Sequence, residues 1–147
     1  MAKIAVLGYG TVGSGVVEVL ETNKNSIEKR AGEGIEVKYV LDLRDFPGDP
    51  VQEKIVHDVD IIIQDKEIDV VVELIGGTTI AKNIILEALN NKKHVVTANK
   101  ALLAHYGKEI FQTAKANDVH IFYEASVGGG IPVLASQKES LIANNTK

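Results

Sequence analysis

The run Lys3–Leu7, KIAVL, passes directly into Gly8-Tyr9-Gly10-Thr11-Val12-Gly13, and GVVEVL follows with helical period. A strand, a turn with glycine at its first, third and sixth positions, and a helix in immediate succession admit few folds. The pattern is the opening βα unit of a sheet that cradles a dinucleotide. Each glycine then has its own task. Gly8 permits the tight turn, Gly10 lets the backbone approach a pyrophosphate, and Gly13 lets helix and strand pack closely. The anion rests on the unpaired N–H groups and positive dipole end of a helix starting near Val12.

The rest of the chain repeats the alternation. Apolar runs at Glu36–Leu41, Asp69–Ile75, His94–Ala98 and His120–Ala125 have the length and Val/Ile content of strands covered on both faces. Between them Thr79–Asn91 and Ala101–Asn117 place apolar residues on one helical face. Strands alternating with helices predict α/β architecture, a Rossmann-type doubly wound and mainly parallel sheet with helices on both faces. Arg44–Asp58 holds two of the three prolines and no helical period, so it reads as an exposed excursion. Residues 24–34, rich in charge and glycine, read as an insertion that lengthens the first helix or its exit loop. Pro132–Ala143 carries Val133, Leu134, Leu141 and Ile142 at helical spacing, and residues 1–143 read as one domain.

Cofactor choice belongs at the end of the second strand. Asp42 there is suited to accept hydrogen bonds from an adenine ribose, which favours NAD, whereas Arg44 is suited to neutralise the 2′-phosphate of NADP. The insertion accounts for the wide interval between the glycines and Asp42. The formal charge of −4, without a Lys/Arg stripe, argues against a nucleic-acid partner. No apolar run reaches the roughly 20 residues that span a bilayer, and no signal-peptide pattern opens the chain, so a cytoplasmic protein is expected. Cysteine is absent, which excludes a thiolate nucleophile and sulfur-ligated metal. His57, His94, His105 and His120 are scattered and read as structural or solvated.

Four stretches carry a more specific signal. GYGTVGSGVV, IDVVVELIGG (Ile68–Gly77), KKHVVTANKALLA (Lys92–Ala104) and YEASVGGGIP (Tyr123–Pro132) resemble homoserine dehydrogenase, in that family's order and over nearly the whole chain. The resemblance implies interconversion of L-homoserine and L-aspartate 4-semialdehyde with NAD or NADP, a step of threonine and methionine biosynthesis. It also implies that the chain is the nucleotide-binding part, inactive alone, of an intact homo-oligomeric enzyme, with residues 144–147 the start of a link to a further domain that binds the small amino-acid substrate. Lys100, at the carboxyl edge of the sheet, is then the catalytic candidate, stabilising charge on the substrate oxygen. Thr97, Ala98 and Asn99 flank the nicotinamide, and Asn99 also suits an N-cap. Gly76 and Gly77 give close backbone approach near the cofactor, while Thr78 or Thr79 caps the next helix. Glu73, inside an apolar run, reads as a structural hydrogen-bonding group before a catalytic one. By resemblance again, backbone carbonyls of Glu124, Val127, Gly129 and Ile131 hold a sodium ion. Two rival readings are another amino-acid oxidoreductase, such as an aspartate dehydrogenase, and a non-enzymatic dinucleotide-sensing module.

Overall fold

A computed structural model of the chain describes residues 2–22 and 34–123. The described residues form a six-stranded sheet in the order β3-β2-β1-β4-β5-β6, with every pairing parallel. Its strands are β1 (Ala2–Leu7), β2 (Ile35–Leu41), β3 (Ile55–Val56), β4 (Ile68–Glu73), β5 (His94–Thr97) and β6 (Ile121–Tyr123). Helix α1 (Thr11–Thr22) follows β1, α2 (Val59–Gln64) follows β3, α3 (Thr79–Asn90) follows β4 and α4 (Lys100–Ala116) follows β5. This is the dinucleotide-fold order, in which the chain reverses direction across the sheet between β1 and β4.

The continuous Val/Ile runs arise because both faces are covered. Ile4, Val6, Val70, Val72 and Val96 face Val16, Val17 and Leu20 of α1. Ala5, Leu7, Val71 and Val95 face Ile62 and Ile63 of α2, Ile85 and Leu89 of α3, and Leu102 and Ile110 of α4. Alternate residues of one strand thus enter two cores. Asn99 caps α4 as expected, its side chain accepting from Leu102 N–H at 3.0 Å. Thr78 occupies the cap position of α3, yet its side chain makes no capping bond, against expectation.

The excursion at residues 44–58 needs correcting. Asp49 caps a 3₁₀ turn at Pro50–Lys54 by accepting from Val51 N–H at 2.9 Å, and Val51 is buried in the α1-side core. Ile55 and Val56 then pair with Val40 and Leu41. Helix α2, capped by Asp58, was also absent from the sequence pattern, its 6 residues being too few to show a period. Across the amino end of the sheet, buried Lys93 donates from Nζ to the carbonyls of Asp65 (2.6 Å) and Ile68 (3.3 Å). It ties the exit of α2 to the entry of β4, and burial pushes its ammonium pKa down. Lys38 and Tyr39 hold Asp65 from the other side, Lys38 first in depressing its carboxyl to about 2. Among the described residues no helix is long and apolar enough to cross a membrane.

Candidate dinucleotide site

The candidate residues emerge together at the carboxyl edge of the sheet. Gly8 follows β1, Asp42 follows β2, Gly76 and Gly77 lie just past β4, and Ala98–Lys100 follow β5. The crevice of such a sheet opens where its strand order reverses. There Gly8 N–H donates to Leu41 O at 2.8 Å and Leu74 N–H to Leu7 O at 3.0 Å.

The three glycines of the turn differ in what surrounds them. Gly8 has φ +105°, in the region that favours glycine, and a methyl there would stand 3.2 Å from Leu74 O. A methyl on Gly13 would lie 1.9 Å from Gly8 O, where no atom fits. A methyl on Gly10 would meet nothing within 4 Å, so of the three glycines it is the one whose backbone borders open space. Ser14 N–H bonds to Gly10 O at 2.9 Å. The amides of Thr11, Val12 and Gly13 therefore stand in the first turn, ahead of the intrahelical ladder. No acidic side chain occupies that turn to quench its positive end.

Asp42 is joined to this turn. Its Oδ2 accepts from Tyr9 N–H (3.0 Å) and an Arg44 guanidinium nitrogen (3.0 Å), and its Oδ1 from Arg44 N–H (2.9 Å) and Nε (3.0 Å). Arg44, before the backbone amides, holds the carboxyl far below the usual carboxylate range. A carboxylate offers about four lone-pair directions, and all are taken here. The two candidate cofactor discriminators are thus one ion pair. Its members differ in freedom, the Arg44 side chain being 64% exposed and that of Asp42 9%. The Tyr9 ring lies edge-on to Phe46 at 4.8 Å, with its hydroxyl donating to Asp49.

Beyond the ion pair lies a cleft of about 790 Å³, bounded also by Leu43, His57, Ile75 and Ile80. Leu43 is 87% and Ile80 66% exposed, so apolar side chains stand uncovered at its mouth. None of these four was singled out as a site residue from sequence. His57 arrives by the return of β3 beside β2. Its Nδ1 meets Asp42 O at 2.7 Å and its Nε2 meets Asp45 Oδ1 at 2.9 Å. Both partners are acceptors, which favours the doubly protonated ring. The Asp42 carbonyl foremost, with Asp45, raises its pKa.

On the other side of the crevice Glu73 is 1% exposed. Its carboxylate accepts from the Thr97 hydroxyl at 2.7 Å, Ile75 N–H at 2.8 Å and Gly76 N–H at 3.3 Å. Thr97 Oγ1 accepts in turn from Asn99 N–H at 3.0 Å, and the Asn99 side-chain amide donates to Gly77 O. Thr97 is fully buried, and Lys100 is exposed as the first residue of α4. His94 and His120, read as scattered, are neighbours because β5 pairs with β6. Their rings stack at 5.6 Å, and His120 N–H donates to His94 Nδ1. Among the described residues no group of His, Asp and Glu could hold a metal ion. The proposed cation ligands Glu124, Val127, Gly129 and Ile131 lie outside the described residues, as do the insertion at 24–33 and the segment 132–143.

Comparison with known proteins agrees with this geometry. A family profile described as homoserine dehydrogenase, NAD binding domain, matches residues 8–124. The homoserine dehydrogenase of Pseudomonas aeruginosa is 48% identical over 97% of this chain and 33% of its own length. That of Neisseria gonorrhoeae is 44% identical over 99% of this chain and 34% of its own. The crystal structure of a homoserine dehydrogenase from Thiobacillus denitrificans superposes with a TM-score of 0.78 at 40% identity, covering 84% of this chain and 29% of that one. The chain thus spans about a third of the length of the curated relatives it matches.

Proposed function

Since the chain belongs to the homoserine dehydrogenase family through its NAD-binding domain, we propose that residues 1–143 bind the dinucleotide for interconversion of L-homoserine and L-aspartate 4-semialdehyde. Residues 144–147 then begin the link to a substrate domain in an oligomeric enzyme. The observation that carries this reading is the turn Gly8–Gly13, closed where Gly13 meets the Gly8 carbonyl and open beside Gly10. That opening, next to the first-turn amides of α1, suits a pyrophosphate. The cleft bounded by Leu43 and Ile80 suits an adenine ring, with Asp42 and Arg44 at its ribose. Gly76, Gly77 and Thr97–Asn99 border the nicotinamide half, chiefly through backbone groups. Bound NAD or NADP supplies the hydride acceptor or donor, and Lys100 stabilises charge on the substrate oxygen.

Asp42 is saturated by Arg44 and the Tyr9 amide, so a ribose hydroxyl gains its carboxylate only when the exposed guanidinium swings away. With NADP the displaced guanidinium acquires the 2′-phosphate as its new partner. Calorimetric titration of the chain with NAD and NADP, alongside an assay for homoserine oxidation, tests the whole reading. Dinucleotide binding without turnover is expected. Failure to bind either dinucleotide refutes the site, and turnover by this chain alone refutes the need for a further domain.

A further inference from the structure

Glu73 is a buried carboxylate that no role above absorbs. It is the last residue of β4, in register with Leu7 of β1 and Thr97 of β5, at the center of the sheet's carboxyl edge. An ionised group 1% exposed is expensive unless every oxygen is well bonded. Glu73 meets that cost with three neutral donors. Two come from the backbone of its own exit loop, Ile75 and Gly76, and the third is the Thr97 hydroxyl on the neighboring strand.

These contacts close a ring. The exit loop bends through two successive residues of positive φ, Gly76 (+83°) and Gly77 (+72°). Glu73 holds the near side of that bend through the Gly76 amide. On the far side, the carbonyl of Gly77 accepts from the Asn99 side chain. The Asn99 backbone amide donates to Thr97 Oγ1, whose hydroxyl donates back to Glu73. Asn99 Oδ1 also caps α4 and so sets where Lys100 begins that helix. One carboxylate therefore connects the loop after β4 to the loop after β5. Neither of the groups that shape the adenosine side, Asp42 and Arg44, belongs to this ring.

From this geometry we propose that Glu73 is the positioning residue of the nicotinamide half-site: it locks the Gly76–Gly77 and Thr97–Asn99 loops into one wall without touching the cofactor. The proposal rests on the dinucleotide reading given above. Its consequence is an asymmetry between the two halves of the ligand. Removing the carboxylate frees two glycine-flanked amides and the Thr97 hydroxyl together, so the nicotinamide wall loosens while the adenosine cleft keeps its contacts.

The test compares NADH with ADP-ribose, which lacks the nicotinamide, on the chain and its Glu73→Gln variant. Gln keeps the shape but turns an NH₂ donor toward donors. E73Q should weaken NADH by about tenfold, the scale of one lost charge-assisted hydrogen bond, and remove the change in nicotinamide fluorescence on binding. ADP-ribose affinity should stay within about twofold, since that ligand makes no call on the displaced hydrogen bonds. Thr97→Val removes one edge of the ring and should shift the same ratio in the same direction, which keeps the test decisive if E73Q does not fold. Equal weakening of both ligands, or an unchanged ratio, overturns the proposal. Absence of binding of either ligand to the unmodified chain refutes instead the dinucleotide reading on which it rests.

Discussion

Gly10 and Gly13 sit three residues apart in one turn, yet substitution by alanine should separate stability from binding. A Cβ on Gly13 would stand 1.9 Å from Gly8 O, whereas real Cβ atoms approach no closer than 3.0 Å, so turn and helix must part by about 1.1 Å. The obstacle is backbone, and it is held from behind by the bond from Gly8 N–H to Leu41 O. Overpacking of this kind costs about 1–3 kcal/mol, and the forced displacement argues for the upper end. Alanine regains up to about 1 kcal/mol of helix propensity inside α1. The net loss for Gly13→Ala is therefore roughly 2 kcal/mol, or about 4–8 °C in Tm for a domain of this size. Gly10→Ala meets nothing within 4 Å and its φ lies outside the left-handed region, so its Tm should not fall. The added methyl instead fills the opening that the proposed reading gives to the pyrophosphate. Loss of a close charge-assisted contact costs about 1.5–3 kcal/mol, or roughly 10- to 100-fold in NAD affinity. Thermal unfolding by circular dichroism and calorimetric titration of each variant provide the two readouts. Undiminished NAD affinity in G10A would show that the phosphates do not approach at Gly10. A G13A protein as stable as the parent would refute the packing argument.

Three further outcomes follow from the same geometry. Arg44→Ala should weaken NADP by roughly tenfold, the scale of a charged hydrogen bond, and leave NAD as tight or tighter, because Asp42 is then free to accept ribose hydroxyls; parallel loss of both in calorimetry would contradict this. His57 has a folded pKa raised above 6.5 by the Asp42 carbonyl and Asp45. Its contribution to stability is therefore full below pH 6.5 and disappears as pH rises through the folded value. Urea unfolding against pH should show this decline for the parent chain and not for His57→Gln, and an NMR titration placing the ring below 6.5 would reverse the sign. Lys93→Ala should destabilise the fold by about 2–4 kcal/mol through two orphaned carbonyls and a lost buried stem, with NAD affinity unchanged where the protein is folded.

Much of this was legible along the chain because it is local. The strand-turn-helix at Lys3–Leu20 needs only neighbours in sequence, and the apolar runs and helical periods match the described longer strands and helices to within one or two residues. Burial on both sheet faces prints itself as uninterrupted Val/Ile runs. Asn99 as a cap and Glu73 as a hydrogen-bonding group followed from residue type and setting. The segment 44–64 is not legible along the chain for the opposite reason. A strand of 2 residues and a helix of 6 carry no period, and only pairing with β2 and packing of Ile62 and Ile63 define them.

Sequence alone thus determined the class of fold, the glycine turn and many of the residues at the sheet's carboxyl edge. Tertiary structure decided how those residues are spent. It set Arg44 on Asp42, brought His57 across from β3, stacked His94 on His120, and joined the loops after β4 and β5 through Glu73. Periodicity records which face of an element is buried, but the partner of a polar group depends on strand order, which places residues 24 positions apart, such as Glu73 and Thr97, within a hydrogen bond.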